Sequence, residues 1–218
     1  MMLVETAHPF HVAGVEIYGD LEIPDLAAGL VIFAHGSGSG RHSPRNRMVA
    51  DHLQDRRLGI LLVDLLTQSE ERVDRVTAEF RFDIDRLTAR VVGLVDWVGA
   101  QPDTRQLLIG LFGASTGAAA ALHAATDRRE HVHAVVSRGG TVQLAQSVLG
   151  QVTAPTLLIV GEHDPPILEA NRRALALLAG PKRLEIIPGA GHLFEEPGAL
   201  ERVSELAGSW FESCLRRD

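Results

Sequence analysis

The chain has 218 residues, of which 45% are hydrophobic and 22% charged, with a formal net charge of −7 at pH 7. That length suits one well-cored domain over residues 1–218, and the negative balance gives nucleic-acid binding no electrostatic support. A lone cysteine, Cys214, excludes an intramolecular disulfide and fits a reducing, cytoplasmic compartment.

In chain order, the opening "MMLVETAHPF" has neither the basic start nor the apolar core of a signal peptide. "FHVAGVEIYGDLEI" alternates on both sides of Ala13-Gly14 and predicts a hairpin. Six short apolar runs follow: residues 30–36, 59–65, 107–113, 133–140, 156–162 and 183–189. Near-continuous runs of this length suit strands buried on both faces of a parallel sheet. Helical patterns lie between them. Ile84, Leu87, Val91, Leu94, Val95 and Val98 share one stripe, as do Leu200, Val203, Leu206, Trp210 and Phe211. No repeat or low-complexity linker interrupts the order, and no apolar run nears the roughly 18 residues needed to cross a bilayer. The expected fold is α/β: a mostly parallel twisted sheet with helices on both faces.

In such sheets ligands bind beyond the carboxyl ends of the strands, so those ends are where chemistry is sought. After residues 107–113 comes Gly113-Ala114-Ser115-Thr116-Gly117, a G-x-S-x-G between a strand and a helix. The small neighbours let a serine stand in a strained corner with its hydroxyl exposed. "GEHDPP" follows residues 156–161 and offers Asp164 as the acid that orients a histidine, with Glu162 as competitor and a helix N-cap before Pro165 as the plainer role. His192 stands in the glycine-flanked loop "GAGHLFEEPG", placed to act as a general base. "HGSGSG" follows residues 30–34, and the backbone N–H groups of Ser37 and Thr116 are nominated as donors to an oxyanion.

With "HGSGSG", "GASTG", "GEHDPP" and "GAGHLFEEPG" in that order along the sequence, the chain resembles the α/β-hydrolases over nearly its whole length. Within them it is most similar to the small dienelactone hydrolase family. The resemblance implies acyl transfer by a Ser115–His192–Asp164 triad, with no cofactor and no metal. Two positions depart from the family pattern: Ser115 stands where a cysteine is usual, and Gly36 where a glutamate is. These departures favour a serine carboxylesterase acting on small soluble esters or lactones. Dienelactone hydrolase or thioesterase activity, or a catalytically silent binding module, are the alternatives.

Other readings are weaker. "GSGSG" is not G-x-G-x-x-G, and position 41 is arginine where a phosphate loop needs lysine. The histidine pairs His131/His133 and His8/His11 lack the further ligands of a metal site. Arg138, at a strand's carboxyl end, and Arg41, after the oxyanion loop, are candidates to attract a substrate carboxylate. Between residue 140 and the next strand there is room for one short helix rather than a lid, and residues 66–85 form the longest other excursion. The expected partner is a small-molecule ester, with no membrane, and the chain a monomer or homodimer.

Overall fold

The computed structural model describes residues 7–216. Most of the opening stretch read against a signal peptide lies outside them. The predicted hairpin is present as β1 (His8–Val12) and β2 (Val15–Glu22). Its two-residue turn has φ of 48° at Ala13 and 75° at Gly14, and two positive values are what a type I′ turn matched to strand twist requires. The remaining strands are β3 (Gly29–Ala34), β4 (Gly59–Val63), β5 (Leu108–Ala114), β6 (Val132–Arg138), β7 (Thr156–Gly161) and β8 (Lys182–Ile187). Each begins within two residues of an apolar run.

The eight strands form one sheet in the order β1-β2-β4-β3-β5-β6-β7-β8. Pairing is antiparallel from β1 to β4 and parallel from there on. Every residue of β3, β4 and β7 is buried, which is why these strands read as continuous rather than alternating apolar segments. On one face lie α3 (Ile84–Ala100), α4 (Thr116–Asp127) and α5 (Pro165–Leu177). On the other lie α1 (Pro44–Asp55) and α6 (Ala199–Cys214). The stripe of α3 (Leu87, Val91, Leu94, Val95, Val98) and most of that of α6 are buried in the two cores. Burying such side chains stabilises by about 1.5–3 kcal/mol each.

From β3 the chain runs to β4 on one side and then to β5 on the other. The sheet therefore reverses direction between β3 and β5, and a crevice opens at their carboxyl ends. The loop carrying "HGSGSG" leaves β3 there, and the serine corner leaves β5 beside it. Residues 140–155 form two short 3₁₀ turns, Val142–Ala145 and Leu149–Gln151, in place of the one short helix expected. Their apolar residues Val142, Ala145, Leu149 and Val152 are buried, which holds the segment flat against the core. Residues 66–85 contribute one helix, α2 (Gln68–Thr77). Among the described residues no helix is long and apolar enough to cross a membrane.

Candidate active site

Ser115 sits between β5 and α4 with φ 50° and ψ −119°, a conformation that costs a non-glycine residue on the order of 1–3 kcal/mol. Its neighbours hold it there. A Cβ on Gly117 would lie 2.1 Å from the Ala34 carbonyl oxygen, and one on Gly113 would lie 2.4 Å from Ala118 Cα. The Ser115 N–H donates to the Arg138 carbonyl at 3.1 Å, and its own carbonyl accepts from Ala118 and Thr141 N–H, each at 3.1 Å. The fully buried alanines 118–121 let α4 approach the sheet closely enough for these contacts.

Asp164 and His192 arrive from neighbouring strands. Asp164 ends the loop after β7 and precedes α5, yet its side chain makes no N-cap hydrogen bond. It accepts instead from His192 Nδ1–H at 2.5 Å. That bond fixes the tautomer and leaves Nε2 as the lone-pair nitrogen. Glu162, the competing acid, accepts the Gly189 N–H at 2.8 Å and so fastens the turn before the histidine loop. The His192 ring borders Gly139, the residue after the carbonyl that holds Ser115: a Cβ on Gly139 would be 3.6 Å from His192 Cε1. Among the described residues Ser115 Oγ has no hydrogen-bond partner. Such contacts often tighten only when substrate is bound.

The loop after β3 packs directly on the serine, since a Cβ on Gly36 would meet Ser115 Cβ at 3.0 Å. This close approach leaves little room for the glutamate usual at that position. His35 anchors the loop. Its Nε2 accepts the Leu65 N–H at 2.9 Å, so Nδ1 carries the proton and donates to the Gly36 carbonyl at 2.9 Å. The Gly36 carbonyl also accepts the Ser39 N–H at 3.2 Å. In a trans peptide N–H and C=O point oppositely, so holding the Gly36 carbonyl on one side turns the Ser37 N–H to the other. Burial pushes the His35 imidazole below its ordinary pKa. Ser37 Oγ and Thr116 Oγ1 lie 3.1 Å apart, and the Thr116 N–H, at the first position of α4, is one a helix leaves unpaired.

A cavity of about 580 Å³ opens on this side of the serine, lined by Ser37, Thr116, Arg45, Arg41 and the α2 segment from Gln68 to Arg75. The long excursion thus forms a wall. Asp74, 3% exposed, accepts the N–H groups of Phe80 and Arg81 at 2.8 and 2.9 Å and the Arg81 Nε–H at 2.8 Å. Nothing in the local sequence pattern singled Asp74 out. The two candidate arginines differ. Arg41 pairs with Asp64 and lies 3.4 Å from Asp20, so its charge is spent within the wall. Arg138 is buried with no ion pair among the described residues. No cluster of metal-binding side chains occurs among those residues.

A family model described as the dienelactone hydrolase family matches residues 60–211. The structure is similar to that of a dienelactone hydrolase from Anabaena variabilis, at 56% identity, covering 97% of this chain and 98% of that one with a TM-score of 0.95. The fold is also shared with Est1E from Butyrivibrio proteoclasticus, at 16% identity and a TM-score of 0.79, covering 96% of this chain and 98% of that one. Two Mycobacterium tuberculosis proteins provisionally named phosphoribosyl transferases are 54% identical over 201 residues, 92% of this chain and 44% of theirs. The chain therefore spans less than half the length of those relatives.

Proposed function

The chain belongs to the dienelactone hydrolase family, a family of hydrolases, and within it we propose a serine hydrolase that cleaves small soluble esters or lactones through an acyl-enzyme on Ser115. The observation that carries this reading is a histidine, His192, whose Nδ1 is held by Asp164 at 2.5 Å in the loop that borders Gly139, next to the residue holding the strained Ser115. In this reading Ser115 Oγ attacks the carbonyl carbon while His192 Nε2 takes its proton. The carbonyl oxygen becomes an oxyanion facing the Ser37 and Thr116 N–H groups. Losing one such donor typically costs about 3–4 kcal/mol of transition-state stabilisation. Collapse returns the proton from His192 to the leaving alkoxide. Water then attacks the acyl-enzyme, giving its proton to His192, which passes it to Ser115 Oγ as the bond to the acyl group breaks and the acid departs. Asp164 keeps the imidazole in the useful tautomer and stabilises its charged form throughout.

The same corner supports hydrolysis over a transferase activity drawn from the name of the mycobacterial relatives, because it sets a serine on a strained strand-to-helix turn near a loop whose histidine is oriented by a carboxylate. The test is labelling of the purified chain with a fluorescent fluorophosphonate, the modified residue being mapped by mass spectrometry. Labelling at Ser115 that disappears in Ser115→Ala is the expected result. Well-folded protein that stays unlabelled, or labels elsewhere, would overturn the reading.

A further inference from the structure

Arg138 is the last residue of β6 and is 9% exposed. Its guanidinium makes no hydrogen bond or ion pair among the described residues, and Nη1 is buried without a partner. The guanidinium carbon lies over the Phe112 ring, 5.9 Å from its centroid. Burial, and then the charge of Arg45, push Arg138 down to about 10. Arginines in folded proteins seldom stand this way, because a buried cation without an anion is unfavourable by several kcal/mol. The other arginines around the site do not: Arg41 and Arg47 reach Asp20, and Arg81 reaches Asp74.

Arg45 approaches from the other side of the His192 loop: it ion-pairs with Glu195, while His192 itself borders Gly139, the residue after Arg138. Arg45 is the second residue of α1 and lines the cavity. Its Nη1 holds Glu195 at 2.9 Å, while its Nε is buried with no partner. The first turn of α1 contains no acidic residue; Pro44 carries no N–H, and Ser43 takes the Asn46 N–H through Oγ and the Arg47 N–H through its carbonyl, so the Arg45 N–H is the one left over in that turn among the described residues. Asn46, 2% exposed, adds a side-chain amide whose Oδ1 is buried and unpartnered, and exchange of its amide O and N would present a further donor. Two guanidinium groups with unused N–H donors, beside a helix N-terminus, make a receptor for a planar or tetrahedral oxyanion.

We propose that Arg138 and Arg45, with the first turn of α1, bind a small oxyanion, carboxylate or phosphate, beside the Ser115 corner. The anion is either a group carried by the ester substrate or a separate ion. Only the first source rests on the hydrolase reading; the binding itself does not. Because the Arg138 carbonyl holds the Ser115 N–H and Arg45 ion-pairs with the His192 loop through Glu195, an anion here would sit between the two segments that bring serine and histidine together.

The experiment compares wild type, Arg138→Met and Arg45→Met at constant ionic strength. Thermal melting is followed while chloride is replaced by acetate or by inorganic phosphate. In parallel, kcat/KM is measured for a neutral aryl ester and for its analogue bearing a terminal carboxylate. Fluorophosphonate labelling of wild type in the same samples reports the hydrolase reading separately. A saturable rise in Tm with phosphate or acetate, lost in Arg138→Met, supports a site for a free ion. A preference for the carboxylated ester that falls about tenfold or more in Arg138→Met supports the substrate as the source. Should Arg138→Met fail to fold, the same two losses are read in Arg45→Met. Wild type that responds to neither ion and shows no preference, or variants that keep both responses, would overturn the proposal even when Ser115 labels normally.

Discussion

At the β5–α4 corner the residue types are dictated by backbone contacts: a side chain on Gly113 or Gly117 would overlap main-chain atoms at 2.4 or 2.1 Å. Across the cavity, the wall from Asp64 to Arg81 is dictated by charge. Asp64 takes Arg41, Asp74 takes Arg81 with two backbone N–H groups, and Glu70 takes Arg86 and Arg90. Steric contacts fail abruptly when one methyl is added, whereas ion pairs lose their contribution gradually and to solvent. The corner therefore has one solution and the wall has many. On this division the chemistry is set at the corner, and what fits in the cavity is set by the wall.

The comparison breaks first at the histidine. Asp164→Asn keeps the shape of the loop after β7 but removes the carboxylate that selects the His192 tautomer. It should lower kcat by up to about 10⁴-fold with little change in Tm. Near-normal turnover in this variant would shift the orienting role to another acid. Next comes Gly117→Ala, which adds one methyl group where the Ala34 and His35 carbonyl oxygens would lie 2.1 and 2.5 Å away. Neither atom is the movable end of a side chain. A loss of about 3 kcal/mol or more is expected in urea unfolding, with activity lost alongside. A variant of wild-type stability would show that the corner is looser than its contacts imply.

The same division explains what the sequence made legible. Gly113, Ser115 and Gly117 could be read because a steric requirement admits few residue types and leaves a local spacing. The buried strands could be read because full burial on both faces leaves a run of apolar residues, as in Leu157–Leu158–Ile159–Val160. Asp164 and His192, far apart in sequence, were found from the strand ends they follow. The hydrogen bond between them, and its preference over Glu162, needed the strands β7 and β8 in register. Arg41 and Arg138 read alike, since both follow a strand end. Their difference lies in partners from elsewhere in the chain, Asp20 and Asp64 for one and none among the described residues for the other, and such long-range pairings leave no local pattern. Asp74 was illegible for the same reason.

The wall gives a milder effect. Asp74→Asn leaves the N–H groups of Phe80 and Arg81 with a weaker acceptor and frees the Arg81 guanidinium. Because the Arg81 side chain is 25% exposed, water recovers part of its solvation, and the expected loss is about 1–3 kcal/mol. Turnover of a small ester should respond mainly through KM, since Asp74 and Arg81 line the cavity rather than touch the serine. A fall in kcat at unchanged KM would mean that the wall also positions the corner, and the division would fail.

The smallest effect lies where the two regions meet. Between them, His35 holds the Gly36 carbonyl through Nδ1–H and accepts the Leu65 N–H on Nε2. A proton on Nε2 would set donor against donor, and burial already holds this imidazole below its ordinary pKa, against the smaller opposing pulls of the Gly36 carbonyl, Asp64 and Glu71. The folded chain thus takes up this proton less readily than the unfolded chain, whose imidazoles titrate near about 6.5. Stability from this group is complete above that pH. It is lost as the pH falls from there towards the folded pKa, with a slope of up to about 1.4 kcal/mol per pH unit. Urea unfolding from about pH 8 down to about pH 5 should show this slope in wild type, over and above that of His35→Gln, which has no imidazole to titrate. Parallel curves for the two proteins would mean that the folded chain takes up this proton as readily as the unfolded one, and that the Leu65 N–H does not hold Nε2 as an acceptor.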